Sequence, residues 1–413
     1  MRIAIIGAGI AGVTSAYELA ADGHDVTVFE RRGSVAAEGS FANSGIVAPA
    51  LASAWAPAPF PRLFTGLPLG WQWRSWRAGR KADAARRARL LHLAAFSRER
   101  LQHLRQRLAL DYERAEGHLV LLRTAAEAAA VEAGLAVLHN AGLSHRLLDA
   151  DQCRAVEPGL NPNTALHGGV QLGQAEAGNC RQFAHQLRLE AQRMGVQFRF
   201  HTTVRRLQPG APVQLTHEHT PPEDTPGPSS RLAEPGDTVP APSGEQQESF
   251  DAVIVCAALN AATLLLPVGL KKLALQAMPG VAITAPLRQL EAHPDLGPRA
   301  ALFDQQRQIT IARIGQRVRV TGRDEHALHA VLNDWFPGAM VAGQVQRWAG
   351  TYAVLADGLP LLGNSGASGV WLNLAHGDSG WTLACGAARV LAEQIAGLPP
   401  EVDVSGLDIA RLG

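Results

Sequence analysis

A run of three closely spaced glycines between two short apolar segments constrains this 413-residue chain more than any other feature. Residues 2–6 read as a strand, Gly7-Ala8-Gly9-Ile10-Ala11-Gly12 as a turn, residues 13–21 as a helix, and residues 25–29 as a second strand ending on Glu30. Gly7 permits the sharp strand-to-helix turn, Gly9 lets a pyrophosphate approach the backbone, and Gly12 lets helix and strand pack closely. The helix N-terminus at Ile10 and Ala11 offers free N–H groups and a partial positive charge. Glu30 stands where a carboxylate accepts hydrogen bonds from both hydroxyls of an adenosine ribose. Strand, glycines, helix, strand and acid in this order define a dinucleotide-binding βαβ unit. A negative charge at Glu30 repels a 2′-phosphate, which favours FAD or NAD over NADP.

The chain is long enough for two domains with a sizeable core. Hydrophobic residues make up 46%, charged residues 18%, and the net charge is +1, a balance that gives no reason to expect a nucleic-acid partner. Cys153, Cys180, Cys256 and Cys385 lie far apart and form no CxxC pair, so reduced buried thiols are expected rather than a metal site or disulfides. The apolar start carries the three glycines, and Glu18 interrupts it, so it is read as structure and not as a cleaved leader. A cytoplasmic protein is expected, with the inner face of the membrane as the alternative location.

After Glu30, Arg31 and Arg32 either lie near an adenine or are solvated. Ser40-Phe41-Ala42-Asn43-Ser44-Gly45-Ile46-Val47 is small, polar and extended, suited to close passage beside a flat ring. Residues 48–70 carry Pro49, Pro57, Pro59, Pro61 and Pro68 and read as a loop. Residues 74–107 hold ten arginines, with Trp71, Trp73 and Trp76 at their front and Leu90, Leu93, Leu101 and Leu104 at helical spacing. A solvated arginine face is the preferred reading of this helix over a basic surface in peripheral contact with an anionic membrane.

Further along, residues 118–123 read as a strand and 125–140 as a helix. Residues 168–172 read as a strand returning towards the first domain, 180–195 as a helix, and 196–207 as one strand. The Pro-, Ser- and Glu-rich residues 209–249 are read as a long flexible insertion. Residues 250–257 form an apolar strand ending on Ala257, as a buried parallel sheet requires. Short alternating runs between residues 283 and 321 suggest an antiparallel sheet. Near the end, Gly369–Ala375 is a strand, His376-Gly377-Asp378-Ser379-Gly380-Trp381 a turn, and Thr382–Ile395 a helix. This second helix N-terminus suits negative charge on a reduced flavin ring.

Together these segments resemble the FAD-dependent D-amino-acid oxidase/dehydrogenase superfamily, and within it the catalytic small subunits of bacterial D-amino-acid dehydrogenases. The matching stretches are IIGAGIAGVTSAYEL with Glu30, FANSGIVAPA, LLDADQCRAVEPGL, GGVQL…AGNC, FDAVIVCAA, ADGLPLLG and LNLAHGDSGWTLACG. The resemblance implies an α/β (α+β) fold. A Rossmann-like FAD-binding domain would come from residues 1–50, 150–257 and 337–413, and a substrate domain on a mainly antiparallel sheet from 51–149 and 258–336. It implies FAD, with the adenosine on Gly7, Gly9, Gly12 and Glu30, the adenine near the backbone of Val204, and residues 42–47 and 377–382 against the flavin. It also implies the reaction. A neutral amine lies above the flavin, the Cα hydrogen leaves as hydride to N5, and the imine hydrolyses to a 2-oxo acid and ammonia. The partners it implies are an amino acid or amine substrate and a quinone or other electron acceptor.

One departure bears on the substrate. Proteins of this group carry Gly-Leu-Arg-Pro where this chain has Gly350-Thr351-Tyr352-Ala353, so Tyr352 stands in place of an arginine that grips the substrate carboxylate. A phenol gives one neutral hydrogen bond where a guanidinium gives a charge and a fork. Pro279-Gly280-Val281 likewise replaces Lys-Gly-Tyr. The candidate catalytic residues are therefore Tyr352, His376 and Arg313, the last as an alternative carboxylate contact from the sheet. Asp378 either caps the following helix or favours a cationic amine. An oxidase or dehydrogenase of carboxylate-free or secondary amines, and a flavin-binding subunit of a hetero-oligomer, are the competing readings.

Overall fold

The structure, a computed structural model, describes residues 1–52, 70–73, 75, 77, 84–219, 244–270, 273–288 and 296–412. The strands of the first half are β1 (Arg2–Ile6), β2 (Asp25–Phe29), β3 (Ile46–Val47), β4 (Ala115–Leu122), β5 (His145–Asp149), β6 (Gly168–Ala177), β7 (Gln197–Arg199), β8 (Thr202–Gln208) and β9 (Val213–His219). They are followed by β10 (Gln246–Phe250), β11 (Ala252–Val255), β12 (Gln276–Pro286), β13 (Ala301–Asp304), β14 (Ile309–Ile314), β15 (Arg317–Gly322), β16 (Gln346–Val354), β17 (Leu361–Asn364) and β18 (Val370–Leu374). The helices are α1 (Ile10–Ala21), α2 (Ala84–Leu108), α3 (Ala125–Asn140), α4 (Ala150–Val156), α5 (Cys180–Arg193), α6 (Ala261–Leu265), α7 (Glu325–Trp335) and α8 (Gly380–Ile395). Several begin where a polar side chain satisfies an orphan N–H. Thr124 accepts from Glu127 at α3, Asp149 forms a capping box with Gln152 at α4, and Asn179 accepts from Gln182 at α5.

Among the described residues the strands form three sheets. The first has the order β17-β18-β11-β1-β2-β7 and is parallel except at the β17–β18 edge. Its central strand β1 is apolar throughout its buried length because both of its faces are covered. Ile3 and Ile5 pack beneath α1, α5 and α8, whereas Ala4 and Ile6 face the second sheet, the antiparallel β10-β9-β8. The third sheet has nine strands, β16-β12-β15-β14-β13-β4-β6-β3 with β5 beside β6. Its strand run β16-β12-β15-β14-β13 is antiparallel, as the alternating segments suggested. On one face Ile283, Val318 and Val320 pack against Leu328, Val331 and Trp335 of α7. The opposite face presents Met278, Thr284, Arg319 and Tyr352, residues of the same strand parity.

Several expectations need correction. Residues 196–207 are two strands in different sheets, divided where His201 takes a positive φ of 51°. The apolar run from Phe250 is similarly split between β10 and β11. Strand β6, read as returning towards the first domain, pairs with β3, β4 and β5 in the nine-stranded sheet, where β16 lies beside β12. The segment 209–249 is not one flexible connection. It begins and ends in the paired strands β9 and β10, because Val213 and Leu215 alternate inwards and are fully buried; residues 220–243 of that expectation lie outside the described residues. Trp71 is buried and not exposed at a surface, Trp73 is exposed beneath Arg77, and Trp76 lies outside the described residues.

Candidate functional site

The first part of the site is the glycine turn. Gly7 adopts φ 104°, and a Cβ there would sit 2.8 Å from the carbonyl oxygen of Cys256, so the turn lies directly against the end of β11 and Ala257. A Cβ on Gly12 would fall 1.9 Å from the Gly7 carbonyl oxygen, which makes glycine obligatory for the close approach of α1 to β1. At Gly9 the space is open apart from Ser40 Oγ at 3.6 Å. No side chain caps α1 at Gly9, although Ile10 N–H donates to Ser40 Oγ at 3.1 Å. The Glu30 carboxylate accepts from Ala8 N–H and Arg32 N–H, each at 2.7 Å, and burial raises its pKa. Arg31 and Arg32 both engage Glu38 and are not simply solvated. An open cradle above Gly9, a helix terminus without a side-chain cap at Gly9 and a half-buried acid at the end of β2 fit a dinucleotide.

The second part is the segment from Ala42 to Ala48. Gly45, at φ 74°, lies so close to Gly178 that a Cβ would approach its oxygen to 2.7 Å, and Gly178 N–H donates to Gly45 O at 2.7 Å. Ile46 and Val47 pair with Ala177 and Glu176 of β6. The Thr382 hydroxyl accepts from Ala48 N–H at 3.2 Å and donates to Ile46 O at 3.4 Å, tying the segment to the first turn of α8. Asn43 turns its side chain to Gly45 N–H and the Cys180 thiol, and its carbonyl accepts from Arg319 at 3.3 Å. Arg319, only 7% exposed, also donates to Thr284, and burial pulls its guanidinium down to about 10.

The N-terminus of α8 follows the short turn Gly377–Ser379, and Ser379 at the cap position makes no side-chain capping bond. The leading N–H groups of α8, from Gly380 through Trp381 and Thr382, have no intrahelical acceptor. The Trp381 indole points into the core, edge-on to Tyr112 at 5.7 Å and tilted to Phe183 at 6.0 Å, so only its backbone faces the turn.

Beside this turn is a cleft of about 170 Å³ whose walls include Trp71, Met278, Arg323, Tyr352, Val354, His376, Asp378 and Leu383. Tyr352 stands opposite Met278 in the β12–β16 pair and shares a hydrogen bond with Arg323. Burial, reinforced by Asp378, pushes its phenol up to about 12. His376 is held down at about 4 by burial, and its Nε2 has no partner among the described residues. Asp378 is raised by the protein packed around it, although its side chain still meets solvent in the cleft.

The structure brings Tyr352, His376 and Asp378 together but not Arg313, whose guanidinium folds back onto Gly315 O at 3.0 Å and Gln316. Val204 is buried at the β-bulge of the β8–β9 pair. Gly350 faces Gly280 across β12–β16, with the Trp348 indole where a Cβ would project. Arg323, Arg319 and Met278 were not anticipated. The arginines sit at alternate positions 317, 319 and, just beyond the strand, 323, and that period-two spacing is the signal that could have marked them as one face.

Residues 2–394 match the DAO family, FAD dependent oxidoreductase. The chain belongs to that family and is an FAD-dependent oxidoreductase. It is 34% identical to the D-amino acid dehydrogenase of Cereibacter sphaeroides, covering 100% of this chain and 95% of that protein. It is 33% identical to the D-amino acid dehydrogenase of Agrobacterium fabrum, covering 100% and 99%. Glycine oxidase from Geobacillus kaustophilus shares the fold, with a TM-score of 0.71 at 18% identity over 99% of this chain and 98% of that one.

Proposed function

We propose that the chain oxidises the CH–NH bond of an amino acid, with D-amino acids favoured, to an imine that hydrolyses to a 2-oxo acid and ammonia. The carrying observation is the cleft at the head of α8, where Tyr352, Arg323, His376 and Asp378 converge beside an uncapped helix terminus. FAD supplies the acceptor for the hydride that leaves the substrate Cα. The backbone around Gly7, Gly9 and Gly12 with Glu30 would hold its adenosine diphosphate end, and residues 42–47 and 377–382 would lie against its ring. Tyr352 keeps its proton across the neutral range and His376 stays an uncharged imidazole, so neither supplies a base. The residues act by orienting the amine and by excluding water with Trp71, Met278 and Leu383.

Electrons leave to a quinone or another acceptor. Arg100 and Arg105 of α2 are counter-charges to the buried Glu18 and Glu176, and Arg89 pairs with the exposed Asp403, which weakens the reading of that helix as a membrane-resting surface. Tyr352, in place of the expected arginine, favours a second reading, an amine without a carboxylate.

An anaerobic screen of the flavin absorbance near ~450 nm separates these readings. Bleaching by D-amino acids supports the first and bleaching only by carboxylate-free amines the second. An unbleached flavin with all amines overturns both and directs attention to a partner subunit.

A further inference from the structure

Resting on the amino-acid reading above, we infer that Arg323 and Tyr352 together bind the substrate carboxylate, with Asp378 facing the ammonium end, so that the cleft selects a zwitterion. The position comes from the sheet. Tyr352 lies on β16 opposite Met278 of β12, β12 pairs on its other side with β15, and Arg323 directly follows β15. A guanidinium at the end of β15 thus reaches the phenol at the position where the resemblance leads one to expect the guanidinium itself.

The hydrogen bond between them has a fixed direction. Arginine only donates, so the Tyr352 oxygen accepts and its own hydrogen is aimed elsewhere. A carboxylate in the cleft therefore meets a charged N–H from Arg323 and an O–H from Tyr352, one for each oxygen. The other arginines nearby cannot take this part. Arg313 is folded onto its own hairpin turn, and Arg319 is buried on Thr284 and Asn43.

Asp378 lines the same cleft and interacts electrostatically with both Tyr352 and Arg323. One fixed cation and one fixed anion match a ligand carrying one of each. An amine without a carboxylate leaves Arg323 unmatched by substrate, and a ligand with a second carboxylate adds an anion facing Asp378.

The test uses anaerobic reductive titration of the FAD-loaded enzyme with D-alanine and D-alaninamide, and propionate binding read from the flavin spectrum. Arg323→Gln should weaken D-alanine and propionate by about 10- to 100-fold and leave D-alaninamide unchanged, as expected for loss of a charge-assisted hydrogen bond. Arg323→Lys, which keeps the charge but not the fork, should fall between. Tyr352→Phe should weaken D-alanine by about 3- to 10-fold. Asp378→Asn should weaken D-alanine and tighten propionate. Equal effects of Arg323→Gln on the acid and the amide, or none on either, at wild-type FAD content and melting temperature, would overturn the anchor. Failure of wild-type enzyme to be reduced by any amino acid would sink the functional reading instead, and propionate binding would still decide the role of Arg323.

Discussion

Replacing Glu18 by Gln should cost the protein about 3 kcal/mol and lower its melting temperature by about 3–4 °C. Glu18 lies in α1, its side chain is 0% exposed, and it accepts from Arg100 of α2 at 2.8 and 2.7 Å and from Arg389 of α8 at 3.3 Å. Removing one partner of a buried ion pair costs about 3–5 kcal/mol, mostly because the remaining charge is left uncompensated. The low end applies here for two reasons. Arg100 is 21% exposed and recovers some hydration, and Arg389 keeps Asp22 at 2.7 Å and Glu393 at 3.3 Å. The melting shift follows from an unfolding entropy of about 2.1 cal/mol/K per residue. Thermal denaturation by circular dichroism, at a fixed excess of FAD, measures it. Adding Arg100→Met to Glu18→Gln should recover part of the loss, because the stranded cation is gone. A Glu18→Gln protein that melts with the wild type, or a double variant that loses the full sum, would refute the claim that this carboxylate locks α1, α2 and α8 together.

Gly9→Ala and Gly12→Ala should separate cofactor binding from folding: the first meets only Ser40 and should fold normally while losing FAD on gel filtration, whereas the second drives α1 from β1 and should lose both FAD and melting temperature. His118 is fully buried on β4 with both ring nitrogens unpartnered among the described residues, and burial holds it at about 4. The unfolded chain takes up a proton below about 6.5 that the folded one refuses, so stability is complete above that pH and falls by about 1.4 kcal/mol per unit as pH drops towards the folded value. His118→Leu should remove about 2 kcal/mol of the fall between about pH 7 and pH 5, read from urea midpoints. Because His376 is held at about 4 and Tyr352 at about 12, flavin reduction should rise with deprotonation of the substrate amine and show no inflection that His376→Asn abolishes.

The glycine turn, Glu30 and the last helix, which begins at Gly380 two residues before the expected Thr382, were legible because each depends on a few adjacent residues. Gly12 needs only its neighbour Gly7 to explain it, five positions away. The division between β7 and β8 was hidden, since it turns on His201 adopting a left-handed backbone that glycine would have advertised. Sheet membership was hidden for another reason. A segment such as Gly168–Leu172 reads as a strand without naming its neighbours, and β6 pairs with β5 and with β3 and β4 from much earlier in the chain. The cleft shows the same limit. Tyr352 stood out by its motif, but Arg323 acquires meaning only from the β12–β15 and β12–β16 registers, and Arg313, equally basic and also in a strand, closes on its own turn.

The six-stranded sheet also sets an order of events during synthesis. β1 and β2 leave the ribosome before β11 and β18 and pair with each other, yet the other flank of β1 is completed by β11, which in turn pairs with β18, while α8 covers one face. The earlier strands therefore wait for later ones, and their apolar edge and face need shielding until β11, β18 and α8 have been made. A nascent protein stalled before β18 would hold a half-built sheet with an open strand edge at β11, the kind of surface that chaperones hold and that aggregates when they do not.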